Sequence, residues 1–140
     1  ETAAIIAEQL GIGPVMVDER LRERDVGEWS GLTNAEIHKG WPGFLEDGRR
    51  PAGFEDVDAM LTRVLASFEA IQKASPGGSL LVVTHGGLLF SLAKFYDLAE
   101  GPIAHLAGLT VRVTEAGPTF GERLSLLDGH TARVTQNGVL

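Results

Sequence analysis

Hydrophobic positions along this chain recur with several different spacings, and each spacing marks its own kind of element. Val57, Met60, Leu61, Val64, Leu65, Phe68 and Ile71 repeat at three and four, which lines one face of a helix of about five turns. Thr2–Leu10 is a second amphipathic stretch, and Gly11 ends it. Thr33-Asn34-Ala35-Glu36 has the capping-box pattern, so a short helix should run to Lys39 and stop at Gly40. Leu88, Leu89, Leu92, Ala93, Phe95 and Tyr96 recur at helical spacing after a pair of glycines.

Other stretches read as strands. Leu80-Leu81-Val82-Val83-Thr84 is a continuous apolar run that follows the turn Ser75-Pro76-Gly77-Gly78 and stops at His85-Gly86-Gly87. Such a run predicts a strand buried on both faces, as in the centre of a parallel sheet. Val15-Met16-Val17 is a shorter candidate. Leu109–Thr114 alternates, Glu115–Pro118 turns, and Glu122–Leu127 and Ala132–Gln136, joined by Asp128-Gly129-His130, suggest an antiparallel extension at one sheet edge. The expected class is α/β, with helices flanking a sheet.

Composition narrows the function more than the fold. At 140 residues and 44% hydrophobic, the chain can bury one core and reads as a single domain, residues 1–140. The net charge is −7, with both signs interspersed. No basic stripe or aromatic-plus-basic pattern points to nucleic acid. No apolar run approaches the ~20 residues needed to cross a bilayer, so neither nucleic acid nor membrane is an expected partner. There is no cysteine, which removes disulfide and thiol chemistry and suits a cytoplasmic location. The four histidines are scattered with no metal-ligand spacing, so no metal is expected.

The candidate chemistry lies in two places. His85 stands where a strand becomes a helix, the position at which open α/β sheets hold ligands, and Gly86 and Gly87 would let an anion approach the backbone. The plainer alternative is a histidine satisfied at a strand end. The second place is Glu19–Gly31, dense in acids and arginines, with Gly27 and Gly31 four apart. Such density usually marks a solvated loop with ion pairs, but the glycines suggest a backbone that aims particular side chains. A carboxyl held there among arginines could act as a general acid or remain in an ion pair, depending on burial. Gly48–Gly53 is a basic loop of the sort that contacts substrates. His38 reads as a surface residue, and His105 and His130 fall in connections with no assigned chemistry.

Taken together, Leu21-Arg22-Glu23-Arg24-Asp25-Val26-Gly27-Glu28-Trp29-Ser30-Gly31, Pro51-Ala52-Gly53-Phe54-Glu55-Asp56 and Val82-Val83-Thr84-His85-Gly86-Gly87 resemble the histidine phosphatase superfamily in its phosphoglycerate mutase-like branch. The resemblance implies a three-layer sandwich with a mostly parallel central sheet flanked by helices. It makes Glu23 the proton donor to the leaving oxygen and His85 the second active-site histidine, with Arg22, Arg24 and Gly86 on the phosphate or substrate. It implies no cofactor, and partners limited to a small phosphorylated substrate and, at most, a second copy of the chain.

One departure is large. The family's nucleophile is a histidine in an Arg-His-Gly motif after the first strand, and no Arg-His-Gly occurs in these residues. The chain also opens in mid-element, and Glu1-Thr2-Ala3 resembles the helix after the family's second arginine. Two expectations follow. Either the first strand and helix precede Glu1 in a longer polypeptide, ~50–60 residues on typical element lengths, and the whole is a phosphomonoesterase, or the chain is a non-catalytic phosphate-binding module. A phosphoglycerate mutase is a third reading, less favoured because the segment between Gly31 and Pro51 is short. Asp56 stands where the family often has serine and is expected to cap the following helix.

Overall fold

The computed structural model describes residues 1–98 and 103–125. Four helices and one hairpin follow in order: α1 (Thr2–Leu10), α2 (Asn34–Gly40), α3 (Val57–Ala74), α4 (Gly86–Phe95), β1 (Ala107–Thr114) and β2 (Gly117–Ser125). All four helices stand where the periodicity placed them. Their ends show why. Gly11 closes α1 in the left-handed conformation, at φ 62°. Thr33 and Glu36 form the expected reciprocal capping box on α2. Asp56 caps α3 by accepting from the Asp58 N–H at 2.8 Å.

The core is the meeting of the apolar faces of α3 and α4. Met60, Leu61, Val64 and Phe68 pack with Leu88 and Leu92, and Leu21, Tyr96, Val111, Val113 and Phe120 cover the cluster. The hairpin is antiparallel, pairing Ala107 with Ser125 and Thr114 with Gly117, and it bulges between Leu109 and Val111. Phe120 brings it onto the core, 4.4 Å from Tyr96 and 6.2 Å from Phe68 between ring centroids. A smaller aromatic nucleus forms beside α2, where buried Trp29 meets Trp41 and Phe54 edge-on at 6.4 and 5.9 Å.

The sheet departs from the sequence expectation. Among the described residues the sheet is the two-stranded antiparallel β1–β2 pair; no mostly parallel sheet is present among them. Leu80–Thr84 and Val15–Val17 are not strands. Leu81 is 58% exposed and Val17 90%, whereas the apolar pattern predicted burial on both faces. The reason is that a strand is defined by its neighbours: an extended segment with no backbone beside it makes no ladder and leaves both edges open. The second hairpin strand also starts earlier than Glu122, at Gly117, directly after a tight turn at Glu115-Ala116. Residues 126–127 and the expected strand Ala132–Gln136, with His130, lie outside the described residues. No described helix is long and apolar enough to cross a membrane.

Candidate active site

The polar segment that precedes α2 is held by α3 rather than solvated freely. Two single 3₁₀ turns, Glu19–Leu21 and Gly27–Trp29, shape it. Asp18 starts the first turn by accepting from the Arg20 N–H at 3.0 Å, and it also accepts from the buried Ser67 hydroxyl of α3 at 2.7 Å. Its bonds to the Arg20 guanidinium, and then that to Ser67, hold the Asp18 carboxyl well below the usual carboxylate range.

One turn back along α3, Arg63 does most of the anchoring. Its guanidinium meets Glu55 in a forked pair, at 2.6 Å to Oε1 and 2.8 Å to Oε2, with both side chains 12% exposed. The remaining donors reach the carbonyl oxygens of Arg20 at 2.6 Å, Arg22 at 2.9 Å and Glu23 at 3.3 Å. Glu55 in turn accepts from the Asp25 N–H at 3.2 Å. The bonds from Arg63 lead the causes that lower the Glu55 pKa. Gly27 completes the fixture. It sits at φ 57°, and a Cβ there would overlap the backbone at Ala52 and Gly53, so only glycine lets the two segments cross.

This frame delivers Glu23 to the start of α4. Its carboxylate accepts from the Gly87 N–H at 3.3 Å and from the Arg24 N–H at 2.9 Å. Thr84, just before His85, donates its hydroxyl to the Leu21 carbonyl at 2.7 Å, which ties the histidine segment to the Glu23 segment. Glu23, His85, Gly86 and Gly87 therefore share one end of α4, where free N–H groups and the positive end of the helix dipole favour an anion. His85 is exposed, precedes the helix in extended conformation (φ −109°, ψ 153°) and makes no side-chain cap. Its imidazole makes no hydrogen bond or ion pair among the described residues.

Gly87 leaves room for the Glu23 carboxylate. A Cβ there would lie 2.8 Å from Glu23 Oε1, and because that atom is the far end of a flexible side chain, the carboxylate would move rather than the helix. Gly87→Ala is therefore expected to keep its melting temperature within a few degrees, an effect below ~1 kcal/mol, while losing the effect of Glu23 on turnover. A Gly87→Ala variant with unaltered kinetics would show that the Glu23–Gly87 contact has no part in the reaction.

The two flanking arginines part company. Arg24 donates Nε–H to the Glu55 carbonyl at 2.9 Å, and its guanidinium lies over the Phe54 ring at 4.9 Å, facing a cavity of about 620 Å³ that Gly87 also lines. Arg22 is exposed and turns toward Glu55, 3.8 Å away. His38, as expected, is a surface residue, bonded to Glu46 at 2.9 Å. Sequence reasoning passed over Arg63, Ser67 and Lys94. The first two had a signal: polar residues four apart on a helix, each next to a core position, form a polar seam along an apolar face. Among the described residues no group of histidine and acidic side chains is placed to hold a metal ion.

Comparison with known proteins points one way. Residues 1–116 match the family model of the histidine phosphatase superfamily, branch 1. The chain is 34% identical over 99 residues to phosphoglycerate mutase-like protein 4 of Arabidopsis thaliana, covering 66% of this chain and 43% of that one. It is 35% identical over 122 residues to the glucosyl-3-phosphoglycerate phosphatase of Mycobacterium tuberculosis, covering 78% and 53%. The chain thus spans about half the length of these relatives. Among solved structures, YhfR of Bacillus stearothermophilus superposes with a TM-score of 0.68 at 25% identity, over 94% of this chain and 68% of that one. A mycobacterial glucosyl-3-phosphoglycerate phosphatase, solved with inorganic phosphate, gives 0.66 at 28% identity, over 89% and 71%. With the acid-and-histidine arrangement at α4, a matching family model over most of its length and an α/β fold shared with these structures, this chain belongs to the histidine phosphatase superfamily, branch 1.

Proposed function

We propose that the protein is a phosphomonoesterase that hydrolyses a small phosphorylated metabolite through a phosphohistidine, with the nucleophilic histidine supplied by residues outside these 140. The observation that carries this reading is the docking of the Glu23 carboxylate on the Gly87 N–H beside His85, which puts a proton-transfer group and an imidazole donor at one helix end. Family membership and relatives named as phosphatases support it. In the proposed reaction the nucleophile's ring nitrogen forms a bond to phosphorus as the ester P–O bond breaks. His85 and Arg24 stabilise charge on the nonbridging oxygens, Gly86 leaves the backbone open to them, and Glu23 relays to the departing alkoxide a proton that the phosphate ester brings into the site as its monoanion. Water then cleaves the P–N bond. Arg22, turned to Glu55 in this structure, would have to swing to reach a phosphate. The same reading expects Leu80–Thr84 to lie inside a mostly parallel sheet whose other strands come from residues outside these 140. Phosphatase is favoured over mutase by analogy with the family, whose mutases carry a longer insertion over the site, whereas the segment between Gly31 and Pro51 holds only α2 and turns. A cysteine-free chain suits a cytoplasmic enzyme.

The role of Glu23 separates this from simple phosphate binding. In the protein with whatever residues its gene encodes upstream, Glu23→Gln should lower kcat on an alkyl phosphate by about a hundredfold and affect 4-nitrophenyl phosphate far less, since a nitrophenolate leaves without protonation. Equal losses on both substrates would assign Glu23 to positioning. Absence of any turnover by the wild-type protein would leave the binding module as the correct reading.

A further inference from the structure

The cavity beside Gly87 is larger than a phosphoryl group needs, and its lining is unusual for a chain of net charge −7. Three cations, Arg24, Arg50 and Lys94, share it with three phenylalanines, Phe54, Phe90 and Phe95. The Arg24 and Arg50 guanidiniums both lie on the Phe54 ring, 4.9 and 5.2 Å from its centroid. Desolvation and then the charge of Arg50 lower the Arg24 pKa. The acids that line the same space are already engaged: Glu55 with Arg63 and the Asp25 N–H, Asp56 with the N-terminus of α3. Arg24, Arg50 and Lys94, like Lys39 and Arg112 elsewhere, have no carboxylate within ion-pair distance among the described residues, but only these three share a cavity. The charges of Glu55, Asp56 and Glu23 act on Arg24 in the opposite sense and offset part of this crowding, and an anion in the cavity would relieve what is left. The volume, about 620 Å³, is that of a small-molecule site.

The geometry points to a leaving-group subsite: the cavity takes the alcohol part of a phosphomonoester that lays a flat apolar surface against Phe54, Phe90 and Phe95 and presents a second anionic group to Arg50 and Lys94. This rests on the reading of His85 and Glu23 as the phosphoryl end. Arg24, between the two ends, faces both. The substrate class is then an acidic phosphate ester with an aromatic or similarly flat body, and a neutral or purely aliphatic ester would leave half of the lining unused.

Binding of unreactive phosphonates tests the subsite apart from the chemistry. Benzylphosphonate and 4-(phosphonomethyl)benzoate differ only in the second anion, and 3-phosphonopropionate keeps that anion without the ring. Calorimetric titration of the wild-type protein, upstream residues included, should show the benzoate binding about tenfold or more tighter than either other probe. Its advantage over benzylphosphonate should shrink as salt is raised. Lys94→Met and Arg50→Met, measured singly, should each narrow the gap between the benzoate and benzylphosphonate, with Lys94, exposed on α4, the variant least able to disturb folding. Equal affinities in the wild type, binding of none of the three, or a preference unchanged in both variants would overturn the subsite. Turnover of 4-nitrophenyl phosphate by the same preparation reads the phosphatase proposal separately: a preference without turnover keeps the subsite and rejects the reaction, and turnover without a preference does the reverse.

Discussion

Replacing His85 by alanine is expected to lower kcat for phosphomonoester hydrolysis by on the order of a hundredfold or more, the usual effect of deleting one donor to a developing oxyanion, with little change in stability. Both halves follow from its setting. The side chain is exposed, caps nothing and makes no hydrogen bond or ion pair among the described residues, so its removal leaves no buried group unsatisfied. What it loses is a donor at the end of α4, next to the position where Glu23 is held. Because the charge on the phosphoryl oxygens grows toward the transition state, the deficit should fall on kcat more than on KM. His85→Asn, which keeps a neutral donor, should recover part of it. Wild-type kcat in His85→Ala, measured on an alkyl and an aryl phosphate at saturating substrate, would remove His85 from the reaction.

The second large effect is structural. Arg63→Ala should cost about 3–5 kcal/mol, the range for removing one partner of a buried ion pair, which is a large share of the ~5–15 kcal/mol of an ordinary domain. The loss is twofold. Glu55 is left 12% exposed with its carboxylate unmatched, and the carbonyls of Arg20, Arg22 and Glu23 lose their common donor. Arg63→Lys should recover only part, because an ammonium cannot meet the fork of Glu55 and three separate carbonyls together. Urea denaturation gives the size of the effect, and an unchanged midpoint in Arg63→Ala would show that the pair contributes nothing net. The same pair sets an acid limit. Bonds from Arg63 lower the Glu55 pKa from its ordinary 4.5, and Asp18 is lowered from 3.8 by Arg20 and Ser67. Each carboxylate therefore contributes its full stabilisation above those ordinary values, and that contribution is lost as pH falls below them toward the lowered folded-state values. Denaturation midpoints should decline in that window, and the decline should be shallower in Glu55→Gln.

Features that depend on near neighbours in the chain were legible from the residues alone. Helices α1 to α4 follow from apolar spacing of three and four and from caps a few residues long, and the structure puts Gly11, Thr33–Glu36 and Asp56 at the ends where those patterns require them. His85 stood out from its own surroundings, at a glycine pair after an apolar run, whereas Glu23 was picked from the acids of Glu19–Gly31 only by the resemblance to the family; the glycines show where segments come close, Gly27 at Ala52 and Gly87 at Glu23. Tertiary structure decided everything that joins distant segments. No local pattern pairs Arg63 with three carbonyls some forty residues earlier, since a single arginine on a helix flank looks the same whether it meets solvent or a loop. Nor could spacing show that Arg24 and Arg50 meet on one ring while Arg22, two residues from Arg24, turns the other way. The apolar run Leu80–Thr84 marks the limit from the opposite side: its composition specifies a strand, but a strand exists only through hydrogen bonds to a neighbour, and among the described residues that neighbour is not there.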